Sequence, residues 1–399
     1  MTSPVDTSVK FFTSQMAGAP VLSGTVGSMI GLLDAVLKDG FGTVALTSLV
    51  VSGGVATAAY AGTHAAQEDA VVLIEGVTGS LVALNGEQKI VSKPGTTSVT
   101  FATAAPDGAA TGAITMKMAP LGWLKSFAGT NKAAYKSASP MSTGCLLRVD
   151  DTATTVARVV GYESMTDVDT GLGPFPTPAQ QTGGGYWFKS SVANANANAW
   201  VIAGDARFIL IFVAPYFHSN ASFVNGYTRG FGDPIALRPS GDAYLCVLNY
   251  CPSSTVGDSY LGAFDVPTST VSTATPRSHT GLGSGVLNTT QPYTGGANAL
   301  SGNDGTLGSF PSVVDASLKL SRRYVCPSLN SAPRGDLPGL LTVPQAAAVD
   351  SFKTFDKTSG SGSLSGKRLL ALTPSTALAA PPTSAGSGAS FVDITGPWR

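Results

Sequence analysis

The chain has 399 residues, of which 24 are basic and 24 acidic, so its formal charge at neutral pH is zero. Charged residues make up only 12%, well below the roughly 25% of an ordinary soluble domain. A hydrophobic content of 43% excludes a disordered chain, and the zero net charge excludes the basic footprint that nucleic-acid binding needs. The composition predicts a folded protein whose neutral surface suits packing against other subunits.

The first 41 residues are predicted to form an extended arm and one short helix. We expect the helix over Thr25–Phe41, with Thr25 or Ser28 as its N-terminal cap and Gly40 as its C-terminal glycine. The apolar residues at helical spacing are Met29, Leu32, Leu33, Val36 and Leu37. On the other face, Asp34 and Lys38 are expected to pair across one turn.

Residues 42–118 are predicted to form a small β-barrel. Six short runs of alternating apolar and small polar residues lie between Val44 and Met118, separated by glycine-containing turns. Gly53-Gly54 and Asn85-Gly86 are the strongest tight-turn signals. Six short strands in so small a region favour a barrel or sandwich.

Residues 119–399 are predicted to form a larger, β-sandwich-like domain with long loops. Its first part, Leu121–Ser137, is interpreted as a connection, and Asp169–Ser191 as irregular. Trp200–Val213 is predicted to form two strands around Gly204-Asp205, at least one of them covered on both faces. Residues 254–312 are rich in Gly, Ser, Thr and Asn and are expected to form a loop or peripheral lobe.

Four further segments of this domain have the apolar pattern of strands. They are Gly144–Val149, Ala153–Met165, Lys367–Pro374 and Ser390–Trp398, with a loop expected over Ser375–Ala389. The whole chain is therefore predicted to be mainly β, with the N-terminal arm and short helix, then the barrel, then the larger domain.

The four cysteines show no CxxC spacing, and we expect buried free thiols, with a disulfide as the alternative. They are Cys145, Cys246, Cys251 and Cys326. The first residues lack the basic and apolar pattern of a signal peptide, which favours synthesis and folding in a cytosol. The longest apolar run, Phe208–Tyr216, is too short for a membrane span.

The segment Asp69–Lys117 resembles a small β-barrel unit that recurs in virion proteins of tailed bacteriophages. The features that carry the resemblance are the turn Leu84–Gly86, the strand Thr100–Thr103 and the closing strand at Gly112–Ile114. That unit is often likened in shape to the first catalytic-cysteine half-domain of ubiquitin-activating enzymes. The resemblance implies a structural unit without catalysis.

Three further segments resemble an uncharacterised family of structural proteins from tailed phages and prophages. They are Leu147–Thr177, Arg334–Leu341 and the ending Lys367–Arg399. The resemblance implies a non-enzymatic virion component, in the baseplate or tail tip, that contacts copies of itself and other virion proteins. The alternatives are a receptor- or glycan-binding module, with host-surface glycan as partner, and a neck or capsid-surface decoration protein.

Candidate metal sites are weak in this sequence. His64, His218 and His279 have no second histidine or cysteine at ligand spacing, which argues against zinc. Asp167 and Asp169 begin like a calcium loop, but Gly171 and Pro178 stand where further ligands are required, so a hydrogen-bonded turn is expected. Asp150, Asp151 and Glu163 are considered as an acidic cluster of the kind a glycan hydrolase needs.

Other motifs have ordinary structural interpretations. Arg334-Gly335-Asp336 spells an adhesion tripeptide but is expected to be a turn, and Gly183–Gly185 precedes no helix and so is no phosphate loop. The aromatic residues Tyr186, Trp187, Phe188 and Trp200 favour core or subunit packing over sugar stacking. Arg322-Arg323 and Lys367-Arg368 are isolated basic pairs. We therefore predict no catalytic, cofactor-binding or metal-binding residues.

Overall fold

The computed structural model describes residues 3–218, 224–266, 270–292, 309–312, 314–329, 331–345, 348, 351–375 and 388–399. Within these ranges the chain folds into antiparallel sheets, one of which closes into a six-stranded barrel, and has very little helix. The mainly β fold predicted from the sequence is confirmed. None of the helices in the described ranges is long and apolar enough to cross a bilayer.

The N-terminal arm is part of the main fold. Its strand β1 (Lys10–Thr13) pairs antiparallel with a strand that begins at Trp200. Phe11 and Phe12 are 1% and 0% exposed, so the apolar side chains of the arm are buried within this chain. The arm is therefore integral to the fold and does not offer these side chains to a neighbouring subunit.

The predicted helix is present but changes form halfway. Helix α1 (Ser28–Leu33) continues as a π-helical segment, Asp34–Asp39, and the predicted apolar face is fully buried. Gly40 ends it with φ of 74°, as expected of a C-terminal glycine. Neither predicted N-cap side chain bonds to the helix start.

The predicted Asp34–Lys38 pair is also wrong. The π-helical segment changes the angular spacing of the side chains, and Asp34 turns toward neighbouring strands. Its carboxylate accepts hydrogen bonds from Lys125 Nζ at 2.8 Å and the Tyr135 hydroxyl at 2.7 Å. Lys38 pairs instead with Asp39 at 2.8 Å.

The barrel is formed by strands that match the predicted runs closely. They are β2 (Phe41–Ser52), β3 (Val55–Tyr60), β4 (Val71–Glu75), β5 (Gly86–Gly95), β6 (Ser98–Ala102) and β8 (Thr115–Met118), with β7 (Gly108–Ala109) added beside β2. The order β2-β3-β6-β5-β4-β8 closes because β8 also pairs with β2. Closure leaves the barrel without free edges except where β7 joins.

The two predicted tight turns of the barrel differ in outcome. Gly53 and Gly54 have φ of 58° and 78° and join β2 to β3, as the sequence indicates. Asn85 instead follows a 3₁₀ turn, Gly79–Leu84, and has an extended backbone. Its side chain bonds to the N–H and C=O groups of Val77 at 2.9 and 2.8 Å, which ties the chain ends of this turn together.

A second, six-stranded sheet follows the barrel. Its strands are β9 (Leu124–Gly129), β10 (Lys132–Lys136), β11 (Leu146–Asp150), β12 (Val156–Met165), β13 (Gly171–Phe175) and β14 (Gly185–Phe188). The order is β13-β12-β11-β10-β9, and β14 also pairs with β12. The predicted connection, Leu121–Ser137, is wrong because it holds the β9–β10 hairpin, and Asp169–Ser191, predicted as irregular, contributes β13 and β14.

The third sheet has thirteen strands and includes β1. Its other strands are β15 (Trp200–Gly204), β16 (Phe208–Val213), β17 (Tyr227–Gly232), β18 (Ile235–Ala236), β19 (Val247–Asn249), β20 (Thr273–Thr275), β21 (Val286–Pro292), β22 (Ser321–Cys326), β23 (Gly335–Thr342), β24 (Lys357–Ser359), β25 (Arg368–Leu372) and β26 (Ser390–Asp393). The order is β1-β15-β16-β17-β19-β20-β21-β22-β23-β26-β25-β24, with β18 beside β23. Short 3₁₀ turns lie at Val256–Asp258 and Gly362–Leu364.

Strands β15 and β16 are the two predicted around Gly204-Asp205, and every residue in both is buried. The predicted lobe at 254–312 contains β20 and β21 of this sheet, while its residues 267–269 and 293–308 lie outside the described residues. Residues 376–387 of the predicted C-terminal loop also lie outside them. β25 and β26 occupy the two strands predicted near the end of the sequence.

The hydrophobic core is continuous across these elements. One buried cluster includes Phe12 of the arm, Phe101 of the barrel, Trp187 of the six-stranded sheet and Ile211 of the thirteen-stranded sheet. A smaller cluster lies around Phe391 in β26. The division at 41 and 118 stays a prediction, since the elements on both sides of each boundary share this core.

Candidate functional site

A cleft of about 560 Å³ opens where the six-stranded and thirteen-stranded sheets meet. Four parts of the chain form it: the loop before β11, the β15–β16 turn, the stretch that follows β17, and Arg399. Its polar lining includes Thr143, Arg207, Asp233, Asp242 and Arg399. The cleft therefore gathers acidic and basic side chains that are far apart in the sequence.

Asp233 is a buried acid of the cleft, with 3% of its surface exposed. One carboxylate oxygen accepts the Thr143 N–H at 2.8 Å, and the other accepts the Thr143 hydroxyl at 2.6 Å. Arg207 Nε lies 3.6 Å from the carboxylate. Burial raises the pKa of Asp233, and the hydrogen bonds from Thr143 and the nearby Arg207 and Arg399 charges partly offset the rise.

Arg399 links Asp205, an acid of the β15–β16 turn, to the backbone at Asp233. Its Nε donates to the Asp205 carboxylate at 2.7 Å, and a terminal nitrogen donates to the Asp233 carbonyl oxygen at 3.0 Å. Asp205 also accepts the backbone N–H groups of Arg207 and Phe208, both at 2.8 Å. The two carboxylates are thus held by bonds that fix the β15–β16 turn and the loop before β11.

A fully buried ion pair lies elsewhere, between Asp151 and Lys189, and neither side chain is exposed. The second carboxylate oxygen of Asp151 accepts the N–H groups of Met29 at 2.8 Å and Ile30 at 3.2 Å. Asp151 thus caps α1 from the end of β11, a role that local sequence could not indicate. Burial raises the pKa of Asp151 and lowers that of Lys189, and each charge partly offsets the shift of the other.

Arg229 on β17 is a buried cation whose hydrogen bonds go to neutral oxygens. It donates to Asn249 Oδ1 at 3.0 Å and to the carbonyl oxygens of Ser259 and Leu261 at 2.6 and 3.0 Å. Its guanidinium lies 4.9 Å from the centre of the Tyr227 ring. Burial lowers the pKa of Arg229. These bonds hold the β19–β20 connection against β17, which makes Arg229 structural.

Asp265 is a buried anion in the same connection. Its carboxylate accepts the N–H of Thr228 at 2.7 Å, the Thr228 hydroxyl at 2.6 Å and the Ser390 hydroxyl at 3.2 Å. Burial raises the pKa of Asp265, and these hydrogen bonds oppose the rise. Neither Arg229 nor Asp265 was singled out in the sequence, because their burial depends on strands distant in the chain.

The three histidines occupy different settings. His64 is 4% exposed, its Nδ1 accepts the Ala66 N–H at 2.9 Å, and burial lowers its pKa. His218 follows β16 and is partly buried, and His279 is exposed between β20 and β21. In the parts of the chain that the structure describes, no three His, Cys, Asp or Glu side chains are grouped as metal ligands.

The calcium-like turn is held by cations. The Asp169 carboxylate lies 2.6 Å from an Arg148 nitrogen and 2.9 Å from Lys132 Nζ, and the Asp169 N–H donates to Asp167 at 2.8 Å. The turn is therefore hydrogen-bonded, as expected of the alternative to a calcium loop. Both carboxylate oxygens of Asp169 are engaged by these two basic side chains.

The acidic cluster suggested by the sequence, Asp150, Asp151 and Glu163, does not form. Asp150 bonds to Arg148 at 3.2 Å, Asp151 pairs with Lys189, and Glu163 pairs with Arg277 at 3.0 Å. Because alternate residues of a strand point to opposite faces, neighbouring carboxylates here meet different cations. No shared carboxylate cleft results among these three acids.

The adhesion tripeptide is neither a turn nor displayed. Gly335 begins β23, and the side chain of Arg334 is 3% exposed, with two nitrogens 3.0 and 3.1 Å from the Asp242 carboxylate. Asp336 pairs with Arg322 at 2.9 Å. The predicted turn is wrong because Asp242, far away in sequence, supplies a buried partner that holds the segment extended.

The aromatic cluster packs in the core, as predicted. Trp187, Phe188 and Trp200 are at most 2% exposed. The indole N–H groups of Trp187 and Trp200 donate to backbone oxygens at 2.8 and 3.1 Å. Tyr186 is partly buried beneath the Arg158 guanidinium, 4.1 Å from the ring centre. These three core side chains are unable to stack on a sugar.

The basic pairs and the glycine run also serve the fold. Arg323 is 4% exposed, and burial lowers its pKa to about 10. Arg368 lies 3.4 Å from the Asp69 carboxylate, and Lys367 lies 3.2 Å from that of Asp393. In the glycine run, the carbonyl oxygen of Gly183 accepts a bond from Arg158.

All four cysteines are free and buried, which confirms the predicted free thiols. The chain matches no protein-family model, and no curated protein matches it. The charged groups described above are bound to one another or to backbone atoms, and they hold segments of the chain in place.

Proposed function

We propose that this protein is a non-enzymatic structural component of a tailed-phage virion, located in the baseplate or tail tip, where multiple copies assemble. The observation that carries the proposal is the scarcity of charged side chains and their pairing within the chain. The chain has few ionisable side chains, and many of those in the described residues are neutralised inside it.

Internal pairing leaves a surface with little net field. Lys189–Asp151 and Arg334–Asp242 are buried pairs, and Arg399–Asp205 is largely buried. Subunits with such surfaces approach one another without the like-charge repulsion that keeps free proteins apart. The centres of protein–protein interfaces are depleted of charged residues, so a surface of this kind suits contacts between subunits.

Since the arm and α1 are buried in this chain, contacts between copies must use other surfaces. β13 is an edge strand of the six-stranded sheet, and its Leu172 is 74% exposed. An exposed edge with an outward apolar side chain is a template for pairing with another chain. We therefore assign the first contact between copies to this edge.

The resemblance to phage structural proteins supports the choice of particle. Leu147–Thr177, which carries much of it, spans β11, β12 and β13. The non-enzymatic part of the proposal is supported by the bonding of the candidate groups: Asp233, Asp151 and Glu163 each hold a partner that fixes the fold. A glycan-binding role is not put forward, because three of the four aromatic side chains considered for sugar stacking are buried.

The test is to locate the chain in purified particles. Antibodies against the folded protein are applied to intact phage, and the label is scored by electron microscopy, with particles lacking the gene as control. Label confined to the distal end of the tail supports the proposal. Label at the neck or capsid overturns the baseplate assignment, and unlabelled particles whose digests lack its peptides overturn the virion role.

A further inference from the structure

Two of the four buried cysteines lie side by side beneath the cleft. Cys145 directly precedes β11 of the six-stranded sheet, and Cys246 directly precedes β19 of the thirteen-stranded sheet. They are 7% and 1% exposed. Thr143 and Leu245, their close neighbours in sequence, both line the cleft. The two thiols therefore lie where the two sheets meet, next to residues that line the cleft.

The segments that carry the two thiols are joined by bonds, because Thr143 bonds to Asp233, and the preceding Gly232 pairs with Val247, the neighbour of Cys246. Burial raises the pKa of Cys246 well above its usual value, and the neighbouring Cys145 raises it further. Thr143, whose backbone and hydroxyl are both bound by Asp233, fixes the loop that carries Cys145. The hydrogen bonds between Thr143 and Asp233 therefore keep the Cys145 loop close to the segment that carries Cys246.

The other two cysteines are engaged elsewhere. Cys251 Sγ lies 3.3 Å from the Asp258 carbonyl oxygen, and Cys326 Sγ lies 2.9 Å from Gln291 Nε2. These contacts place both sulfur atoms away from the cleft. They provide matched buried thiols against which the first pair is judged.

We propose that Cys145 and Cys246 form a reversible disulfide when the folded protein meets an oxidising disulfide of a small thiol. The bond would covalently join the six-stranded sheet to the thirteen-stranded sheet at the base of the cleft. In a reducing cytosol the pair stays as thiols, as in the structure, and it closes when the protein reaches an oxidising medium. The inference is independent of the proposed virion role.

The chemistry is two successive exchanges. Cys145, the more exposed thiol, loses its proton, and its sulfur attacks the small disulfide and expels one small thiolate, which takes up that proton. The Cys246 sulfur then loses its proton, attacks the Cys145 sulfur of the mixed disulfide and expels the second small thiolate. Two electrons pass from the cysteines to the reagent, and one small disulfide becomes two small thiols.

The test uses the full-length protein and 2-hydroxyethyl disulfide at about pH 8.5, where ordinary cysteines are substantially ionised. Remaining thiols are alkylated, the protein is digested without reduction, and linked peptides are identified by mass spectrometry. We expect one linkage, between the peptides of Cys145 and Cys246. The bond should raise Tm by about 3–5 °C, and dithiothreitol should reverse the rise.

Two variants provide the controls. Cys251→Ser/Cys326→Ser retains the proposed pair and should form the linkage as the parent does, whereas Cys145→Ser should show neither linkage nor Tm rise. Absence of the linkage in the folded parent protein overturns the proposal, as does a linkage formed only in urea. A linkage that leaves Tm unchanged overturns the expected stabilisation by the bond, and this readout does not depend on whether any variant folds.

Discussion

Single charged residues in this protein connect distant segments of the chain. Asp151 binds the first turn of α1 and the ammonium group of Lys189, and the Arg334 guanidinium holds the Asp242 carboxylate through two nitrogens. A buried charge that loses its partner is costly, because the remaining group is left in a medium that solvates it poorly. These few residues therefore carry more of the stability than their number indicates.

Replacing Asp151 by Asn tests the buried pair. The substitution leaves Lys189 without its counter-charge and weakens the cap on α1, so we expect the free energy of unfolding to fall by about 3–5 kcal/mol. Urea denaturation followed by circular dichroism measures the change. Asp169→Asn, which removes a half-exposed ion pair nearby, should cost no more than about 1 kcal/mol. Equal losses in the two variants would contradict the assigned role of Asp151.

The buried carboxyl group of Asp265 predicts a pH dependence. Its folded-state pKa lies above the ordinary 3.8, so its contribution to stability is present below pH 3.8 and is lost as the pH rises through the folded-state pKa. Asp265→Asn keeps the shape and removes this ionisation. The stability of the variant relative to the parent should therefore improve as the pH rises above about 4.

Denaturation curves at several pH values measure that difference. The exposed Asp107→Asn serves as the matched control, because its carboxylate, which accepts a bond from Gly53, stays in contact with solvent. A stability difference for Asp265→Asn that does not change with pH would refute the prediction.

At the scale of elements, the barrel depends on a close approach of two backbone segments, one just after β4 and the other just before β8. Gly76 has φ of 85°, and an added Cβ there would lie well inside van der Waals contact with the Ala113 carbonyl oxygen. Thr78 and Thr111 form a β-bridge directly beyond this point, with an N–H to carbonyl bond of 2.8 Å. A side chain at Gly76 would have to push these segments apart.

We expect Gly76→Ala to destabilise the protein by more than about 2 kcal/mol, since it combines a positive φ with a steric clash. Gly62→Ala isolates the first effect, because Gly62 has φ of 78° with open space around it. That control should cost only about 1–2 kcal/mol. Thermal unfolding of both variants provides the comparison, and a Gly62 variant as unstable as the Gly76 variant would exclude the close approach as the cause.

The elements that sequence predicts well here are those whose signal is local. The alternation in Val55–Tyr60 and the apolar spacing in α1 each arise from contacts within a few residues. The strands β9 and β13 escape prediction because their residues are mixed and half-exposed, so alternation is weak at the sheet edge. Tertiary partners decide those cases.

The candidate sites depend almost wholly on such partners. The burial of Trp187 follows from an apolar local pattern, but the pairing of Arg334 with Asp242 or of Asp151 with α1 does not. Each requires knowledge of how elements distant in the sequence are arranged in the folded chain. Sequence spacing therefore indicates which residues are unusual, and the sheet order determines what they do.

For the whole molecule, the neutral surface makes the edge at β13 the place to test association. Leu172→Glu introduces a charge on this edge, which should weaken self-association at least tenfold while leaving the fold intact. Light scattering across a dilution series measures the change. Val50→Glu, at a 42% exposed position on the barrel, is the control and should associate like the parent. Equal weakening by both would indicate a general effect of charge.

The pairing of β1 with β15 also has a consequence for how the protein is made. Lys10 lies opposite Gly204, so β1 has no partner until that part of the chain has been synthesised. At about 5–20 residues per second, the interval is roughly 10–40 s, during which Phe11 and Phe12 remain accessible on the nascent chain. The barrel strands, whose partners lie close by in sequence, can pair within that interval. β1 thus leaves the ribosome well before its partner and is placed late, which makes it a natural segment for a chaperone to hold.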